Sequence, residues 1–308
     1  MKNLLHTKGL FLVLTTAVIS GFSIFINKFG VSEFNPYLFA FLKNLLVAAF
    51  LIGLILGLKE FKNLRKLAKK DWLILTIIGL VGGSIPFLLF FKGLSLTTAA
   101  NGAFIHKTMF IYVAILAGVF LREKIPSRFL IAGAFLLMGN LYFLRFLPYG
   151  AKQGDFLVLA AVAFWSVENV ISKYALRTLS PAVVAFGRMG IGSAFILLFL
   201  IFSGNILAVS KLTPLHFQWI LVSAVLLFGY VTTWYTGLKH INVSTATAVL
   251  LLGSPITSLL TFIFQGQPFG QTQLIGTVLL VFGVGLTIGF QTIWQTLKHL
   301  PKLIYVRT

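Results

Sequence analysis

Long apolar runs alternate with short polar turns along the whole chain. Ten runs are about 20 residues long or longer, the length that an α-helix needs to cross a bilayer. They are 8–27, 36–58, 72–92, 98–121, 127–147, 154–175, 181–203, 214–237, 243–265 and 270–290. Such runs are too long for strands, and a membrane β-barrel would alternate polar and apolar residues. The pattern predicts an all-α membrane protein with ten transmembrane helices.

Turn residues mark where several of these helices begin. Asn35-Pro36, Ser180-Pro181 and Thr213-Pro214 each place Pro at a first helical position, where its missing N–H group does no harm. Pro255 lies inside the ninth run and is expected to kink it, because Pro removes a backbone hydrogen bond. Gly pairs four residues apart, at 53/57, 79/83 and 285/289, predict close helix packing within the bundle, with a role as dimer faces as the alternative.

The two halves of the chain repeat at a nearly constant offset of 145 and later 144 residues. The aligned positions are GLFLVL at 9–14 with GDFLVL at 154–159, Lys28 with Lys173, Lys43 with Arg188, Gly93-Leu94 with Gly237-Leu238, and Glu123 with Gln267. Because each half holds five helices, an odd number, the second copy must enter the membrane upside down. Inverted repeats are a transporter architecture, with the site between the repeats.

We therefore predict a first five-helix repeat over 1–147, a second over 154–290, and a cytoplasmic tail over 291–308. The fold class is two inverted five-helix repeats. Most of the 25 Lys and Arg residues fall in loops on one side of the predicted membrane. Since cytoplasmic loops are rich in Lys and Arg, both termini are predicted to be cytoplasmic and the protein to be a multi-pass protein of the cell membrane. A cleaved signal peptide at the basic N-terminus is the alternative, but the first run is long enough to span.

Composition excludes several classes of protein. Charged residues make up 10% of the chain and hydrophobic residues 58%, whereas soluble domains carry about 25% charged residues. The net charge of +19 would suggest nucleic acid in a soluble protein, but basic loops between apolar runs belong to a membrane surface. There is no Cys, no GK[ST] phosphate loop and no HExxH motif. We predict no enzyme, no cofactor, no metal and no nucleic-acid partner.

Charges inside the predicted spans are the candidates for function, since each costs at least about 2.5–3.5 kcal/mol in the bilayer core. Lys43 and Arg188 occupy matching positions of the two repeats, where they either reach back to the interface or anchor an anion in a cavity. Lys107 lies near the centre of its span and is expected to meet a substrate carboxylate or pair with Glu168. Glu168, the acid inside a span, is either a carrier of coupling protons or a partner of Lys107 or Arg188.

Neighbours of these charges complete the predicted substrate site. Asn169 adjoins Glu168, and Trp165 lies three residues earlier on the same helical face, forming a mixed polar and aromatic patch. His106 precedes Lys107, so the two point about 100° apart. A lone His in a helix is more often hydrogen-bonded packing than a proton carrier. Trp234, Tyr235 and Tyr142 are interpreted as members of an interfacial aromatic belt.

With these features the chain resembles the drug/metabolite transporter superfamily, in its ten-helix EamA-type branch. The resemblance covers nearly the whole chain and rests on a combination of motifs. They are Asn35-Pro36 with Lys43, Ser180-Pro181 with Arg188, a Gly-Leu with a small-residue run at 93–103 and 237–248, Ser254-Pro255, and the acidic exit at Glu123. The chain departs from the family pattern at Gln267, where an acid is usual, and at Phe110-Ile111, where Pro255 would align.

The resemblance implies a basket-like bundle with a central cavity that exports amino acids, other metabolites or drugs. The residues alone predict a cationic, partly aromatic cavity, which favours solutes carrying a carboxylate or phosphate. We therefore expect a secondary transporter of small carboxylate-bearing or amphipathic metabolites, working by alternating access in the lipid bilayer as a monomer or homodimer. The alternative is a membrane-embedded enzyme or lipid-handling protein without vectorial transport.

Overall fold

Ten helices form one bundle in the computed structural model, which describes residues 2–33, 35–142, 152–266 and 268–289. Within these ranges no strand occurs, so the predicted all-α class is confirmed. The helices are α1 Lys2–Glu33, α2 Pro36–Gly57, α3 Lys69–Leu96, α4 Ala99–Lys107 continued by Met109–Phe120, α5 Ser127–Leu141, α6 Gln153–Ala175, α7 Pro181–Phe202, α8 Pro214–His240, α9 Val243–Gln265 and α10 Gln271–Ile288. Nine of them are long and apolar enough to span a membrane, and α5 is a shorter apolar helix.

Some predictions fall beyond these ranges. The last residues of the fifth predicted span (143–147), Gln267 and the predicted tail 291–308 lie outside the described residues. A short helix, Phe61–Arg65, follows α2, and a 3₁₀ helix, Asn205–Lys211, links α7 to α8.

The predicted helix starts are confirmed. Pro36, Pro181 and Pro214 each occupy the first helical position. The Asn35 side chain accepts hydrogen bonds from the backbone N–H groups of residues 37 and 38, at 2.9 and 3.2 Å. Ser180 caps α7 in the same way, accepting from the N–H of residue 183. These caps satisfy N–H groups that the first helical turn leaves unpaired.

Two matching lysines make equivalent contacts in the two repeats. Lys28 Nζ on α1 donates to the carbonyl oxygens of Leu94 and Thr97, at the end of α3. Lys173 Nζ, its counterpart on α6, donates to the carbonyl oxygens of Leu238 and Ile241, at the end of α8. Each cation stabilises the C-terminal end of a helix in its own repeat. The same contact therefore occurs at the matching position of both repeats.

Wide π turns interrupt α3 and α7 where the repeats meet. The π turn of α3 spans Gly79–Ser84 and that of α7 spans Gly187–Ile191. The two backbones are so close that a Cβ atom on Gly83 would lie 1.7 Å from the carbonyl oxygen of Arg188. The close packing predicted for 79/83 is therefore observed. At Gly53 and Gly57 the prediction is wrong, because a Cβ atom there meets only open space.

Helices α4 and α9 are both broken at equivalent points. Helix α4 is interrupted at Thr108, and α9 contains a 3₁₀ turn at Leu250–Leu252. The break in α9 comes just before Pro255, whose ring clashes with the carbonyl four residues earlier, as expected. The break in α4 occurs without a Pro. The discontinuity is thus a feature of both repeats, although the residue that predicts it is present in one.

Glu123 joins the exit of α4 to the start of α9. Its carboxylate oxygens accept hydrogen bonds from the N–H groups of Val243 and Ser244, at 2.9 and 3.3 Å, and from the Ser244 hydroxyl at 2.7 Å. A carboxylate at a helix N-terminus pairs with unsatisfied N–H groups and with the positive end of the helix dipole. The acid at this exit therefore fastens one repeat to the other.

The outer surface of the bundle is apolar. Large side chains such as Phe202, Phe120 and Val119 are 87%, 70% and 67% exposed. A soluble protein would not expose so many of them, whereas lipid tails accept them. The same helices bury polar residues on their inner faces, so polar groups are concentrated between the repeats.

Candidate functional site

A cavity of about 70 Å³ lies between the repeats. Helices of both repeats contribute to its wall. The lining residues are Ser20, Ser23, Ile24, Asn27, Lys43, Phe87, Phe90, Phe91, His106, Met109, Trp165, Asn169, Arg188, Leu227 and Tyr230. Of the seven predicted site residues, Lys43, Arg188, Trp165, Asn169 and His106 are among them, and Glu168 and Lys107 are not. In this conformation the cavity has room for a few water molecules.

Lys43 is held in an aromatic cage at the cavity wall. Its side chain is 1% exposed, and Nζ lies 3.7 Å from the ring centroid of Phe91, 5.2 Å from that of Phe87 and 5.4 Å from that of Phe39. Ring faces attract a cation, and the attraction reaches about 2 kcal/mol when both are desolvated. The interpretation that Lys43 reaches back to the membrane interface is wrong. In the described part of the chain no carboxylate lies within 4 Å of its Nζ.

Arg188 stands opposite on the π turn of α7. Its Nε donates to the carbonyl oxygen of Gly82 at 3.2 Å and its Nη1 to the hydroxyl of Tyr235 at 3.2 Å. Its guanidinium also lies over the rings of Phe87 and Trp165, at 5.6 and 5.9 Å. Like Lys43 it is buried rather than directed to the interface. The guanidinium is planar, and two hydrogen bonds and two aromatic rings hold it in place. It therefore suits recognition of a planar anion.

Glu168 lies behind Arg188 and is completely buried. Its Oε1 accepts hydrogen bonds from Ser172 at 2.5 Å and from Tyr235 at 2.6 Å. Its Oε2 is 3.5 Å from Arg188 Nη1, the one ion pair among the described residues, and accepts no hydrogen bond there. The alternative pairing with Lys107 is not observed. Among the described residues, Oε2 is therefore held by the charge of Arg188 alone.

Lys107 ends the first segment of α4, beside the break at Thr108. Its Nζ donates to the Ser20 hydroxyl at 2.9 Å, and the side chain is 2% exposed. A cation at a helix C-terminus is stabilised by the helix dipole, which gives Lys107 a structural role at the break. It reaches the cavity indirectly, since Ser20 is one of the lining residues.

Aromatic rings form one wall of the cavity. Trp165 packs against Phe87, Phe90 and His106 with ring centroids 5.2–5.5 Å apart. Its Nε1 donates to the carbonyl oxygen of Gly82 at 2.9 Å, so the indole cannot rotate freely. His106 Nδ1 is buried and has no hydrogen-bond partner within the described residues. The expected hydrogen-bonded packing of this His is therefore not found at Nδ1.

Asn169 forms hydrogen bonds to protein groups through both its amide nitrogen and its oxygen. Its side-chain amide donates to the carbonyl oxygen of Trp165 at 2.8 Å, and its Oδ1 accepts from Trp234 Nε1 at 3.1 Å. Trp234 and Tyr235 are 1% and 0% exposed, so their assignment to an interfacial belt is wrong. Tyr142 remains 36% exposed.

Sequence reasoning missed several polar residues of the cavity. Ser20, Ser23 and Asn27 follow one another at helical spacing on α1, and Tyr230 approaches from α8. The Oδ1 atom of Asn27 is buried without a partner among the described residues. The spacing of polar residues three to four apart within an apolar run was the available signal.

Two further observations limit the chemistry that this site can perform. The described ranges contain no cluster of three or more His, Asp or Glu residues that would hold a metal ion. The cavity carries cations, rings and amides on its wall, and its carboxylate neighbour is held by Arg188. The arrangement can attract and orient an anion with an apolar portion.

Comparison with known proteins identifies the family. The sequence matches the EamA-like transporter family over residues 7–145 and 152–289. An uncharacterized transporter of Archaeoglobus fulgidus is 28% identical over 92% of this chain and 97% of its own length. The riboflavin transporter ImpX of Fusobacterium nucleatum is 26% identical over 91% and 97%. A solved crystal structure shares the fold with a TM-score of 0.66 at 17% identity, covering 88% of this chain and 95% of that one.

Proposed function

The chain belongs to the EamA-like transporter family, and we propose that its central cavity binds a small anionic metabolite and exports it by alternating access. The substrate class is carboxylate-bearing or amphipathic compounds, including amino acids. The proposed substrate-binding residues are Lys43, Arg188, Trp165, Asn169, His106, Lys107 and Glu168.

One observation is the main support for an anionic substrate. Lys43 Nζ reaches the cavity in a ring cage without a counter-charge within 4 Å among the described residues. A buried cation is costly unless it is paired, and each cation–π contact offsets part of that cost. A bound carboxylate supplies the missing partner, with Arg188 as its second contact. Lys107 supports the same site through Ser20.

The aromatic wall suits the remainder of the substrate. Trp165 and Phe90 present ring faces and edges next to the two cations. A planar or apolar group packs there while the carboxylate faces Lys43. Riboflavin, the solute in the name of the Fusobacterium relative, is a flat aromatic molecule and belongs in the same screen.

Inverted repeats and broken helices support alternating access. Transporters built this way place their substrate between the repeats and move one part against the other around the fixed site. The breaks at Thr108 and Leu250–Leu252 are suitable hinge points. Outward transport follows from the resemblance to exporters, and the bias of Lys and Arg toward one set of loops supports cytoplasmic termini in a cell membrane.

A transport screen tests the proposal. We expect protein reconstituted in liposomes to move labelled amino acids, other carboxylates or riboflavin across the membrane unchanged, faster than empty liposomes. Neutral analogues that replace the carboxylate with an amide are expected to move at least about 30-fold less efficiently, since loss of one buried charged partner costs about 2 kcal/mol or more. Chemical conversion of the solute without its crossing would contradict the proposal.

Glu168 is the proposed carrier of the coupling proton. We expect Glu168→Gln to abolish accumulation driven by a pH gradient while leaving exchange of labelled for unlabelled solute, because Gln still accepts the hydrogen bonds from Ser172 and Tyr235 but cannot bind or release a proton. The charge attraction to Arg188 is lost, so the variant is expected to be less stable than the wild type. Both rates are measured in the same proteoliposomes. Asp155→Asn, an acid at the start of α6, is the matched control and should leave accumulation intact. Full accumulation by Glu168→Gln would reject the assignment.

A further inference from the structure

Outside the central cavity, an apolar groove runs between α4 and α6 on the lipid-facing side. Its volume is about 480 Å³, and its wall is formed by Leu116, Phe120, Leu121, Val167, Val170, Ile171 and Tyr174. On α6 these residues recur three and four apart, so they form one continuous helical face. The groove opens to the bilayer, because Phe120 is 70% exposed and Val167 is 41% exposed.

A cationic pocket of about 390 Å³ adjoins one end of this groove. Leu121 belongs to the walls of both. The other residues of the pocket are Arg122, Glu123, Lys124, Lys173, Arg177 and Asn242. It therefore lies where α4 and α6 end, at the level of the membrane surface, whereas the groove lies along the membrane-spanning segments.

The charges of the pocket are not balanced within the protein. Lys173 Nζ is bound to the carbonyl oxygens at the end of α8, and both oxygens of Glu123 are taken by the start of α9. Arg122, Lys124 and Arg177 are exposed, and in the described part of the chain none of them forms an ion pair. Arg177 lies 5.4 Å over the ring of Tyr174, which links the charged pocket to the groove.

We propose that the groove and pocket together bind one anionic glycerophospholipid. Arg122, Lys124 and Arg177 contact the phosphate headgroup, and an acyl chain lies in the groove between α4 and α6. Clusters of basic residues at a membrane surface attract anionic lipids, and basic pockets between helices bind their headgroups. The combination of a cationic mouth and a lipid-facing apolar groove selects a lipid over a soluble phosphate.

The bound lipid bridges parts of both repeats. Helix α4 belongs to the first repeat, while α6 and Asn242 belong to the second. The pocket also surrounds the loop in which Arg122 adopts a positive φ of 55° and Glu123 reaches across to α9. A lipid headgroup at this point stabilises the junction at which the two repeats are fastened.

Lipid titration tests the proposal without any transport measurement. Delipidated protein in a neutral detergent is titrated with palmitoyl-oleoyl phosphatidylglycerol or phosphatidylcholine. The thermal unfolding midpoint and the number of retained lipids by native mass spectrometry are measured. We expect phosphatidylglycerol to raise the midpoint at lower concentration and to be retained as one tightly bound molecule. Equal effects of the two lipids would overturn the proposal.

A charge variant identifies the pocket. Arg122→Asn with Lys124→Gln and Arg177→Gln is expected to lose about 100-fold in apparent affinity for phosphatidylglycerol, from three surface cations. Asn is chosen at 122 because it tolerates positive φ. The control, Lys66→Gln with Lys69→Gln and Lys70→Gln, removes the same net charge from another exposed basic segment, which ends in the first turn of α3, and should keep the preference. Retention of the preference by the pocket variant would overturn the proposal.

A groove variant separates a lipid from a soluble phosphate and remains informative if the triple variant fails to fold. Val167→Trp fills the apolar groove without changing charge and is expected to weaken phosphatidylglycerol binding at least about 10-fold. Val119→Trp, on the lipid-facing side of α4 away from the groove, should leave binding unchanged.

Inorganic phosphate and glycerol phosphate lack acyl chains and should give no shift in the thermal unfolding midpoint. A full shift with either would overturn the lipid assignment.

Discussion

Lys43→Met is expected to raise the apparent KM for the transported anion by at least about 30-fold without making the protein less stable. The cation contacts three rings and has no counter-charge within 4 Å among the described residues, so its removal costs the substrate a partner but leaves no protein group unpaired. Loss of a buried charged partner is worth about 2–5 kcal/mol. Transport kinetics in proteoliposomes and thermal unfolding in detergent measure the two effects.

The stability of this variant separates a binding role from a structural one. Met fills similar volume and makes favourable contacts with aromatic rings. Its thermal midpoint should therefore equal or exceed that of the wild type. Lys211→Met, an exposed cation in the link between α7 and α8, is the control and should change neither quantity. An unstable Lys43→Met protein that retains its KM would show that Lys43 only supports the fold.

Arg188→Met is expected to abolish transport and to lower stability by about 3–5 kcal/mol. The substitution leaves Glu168 buried without its counter-charge, and an uncompensated buried charge is the costly outcome of breaking such a pair. The hydrogen bond from Arg188 to the Gly82 carbonyl is lost as well. Thermal unfolding and solute uptake report the two losses.

A double variant isolates the charge from the packing. In Arg188→Met with Glu168→Gln both charges are absent, and replacing a buried pair by neutral groups is often close to neutral for stability. We expect the double variant to recover most of the lost stability while transport stays absent. A double variant as unstable as Arg188→Met alone would show that packing or hydrogen bonds at Gly82, rather than the ion pair, account for the loss.

The helices were predictable because the membrane imposes a length on them. Runs of about 20 apolar residues must be helical in lipid, and the prolines at 36, 181 and 214 mark the starts of three of them. The inversion followed from an odd number of helices in each repeat. The break at Thr108 was not predictable in the same way, since it occurs without the Pro that marks its counterpart in α9.

The sequence predicted how deep the site residues lie in the membrane, but not the direction in which their side chains point. The positions of Lys43, Arg188 and Glu168 along their helices show that they are intramembrane, yet periodicity does not say which neighbour each one meets. The π turn at Gly187–Ile191 changes the phase of α7 at Arg188 itself. That turn directs Arg188 toward Glu168, and Lys107 donates a hydrogen bond to Ser20 instead.

The aromatic cage around Lys43 could not be predicted, because Phe is abundant throughout the chain. The chain contains 32 Phe residues, most of them in apolar runs that look alike. Phe87 and Phe91 lie four apart on α3 and therefore share a face, but only the packing of α2 against α3 brings that face to Lys43. Such a cage depends on contacts between helices, which a single sequence does not specify.

The electrostatics of the cavity can be measured directly because the chain contains no Cys. A single thiol is introduced by Ser23→Cys at the cavity wall, and another, as a reference, by Ser210→Cys at an exposed turn. Reaction rates with an anionic and a cationic methanethiosulfonate of similar size are compared in detergent. We predict that the anionic reagent is favoured at residue 23 by at least about 10-fold relative to residue 210, the factor that about 1.4 kcal/mol of charge attraction produces, and that adding Lys43→Met removes most of this preference. Equal rates at the two positions, or a preference for the cationic reagent at residue 23, would contradict a cavity built to receive an anion.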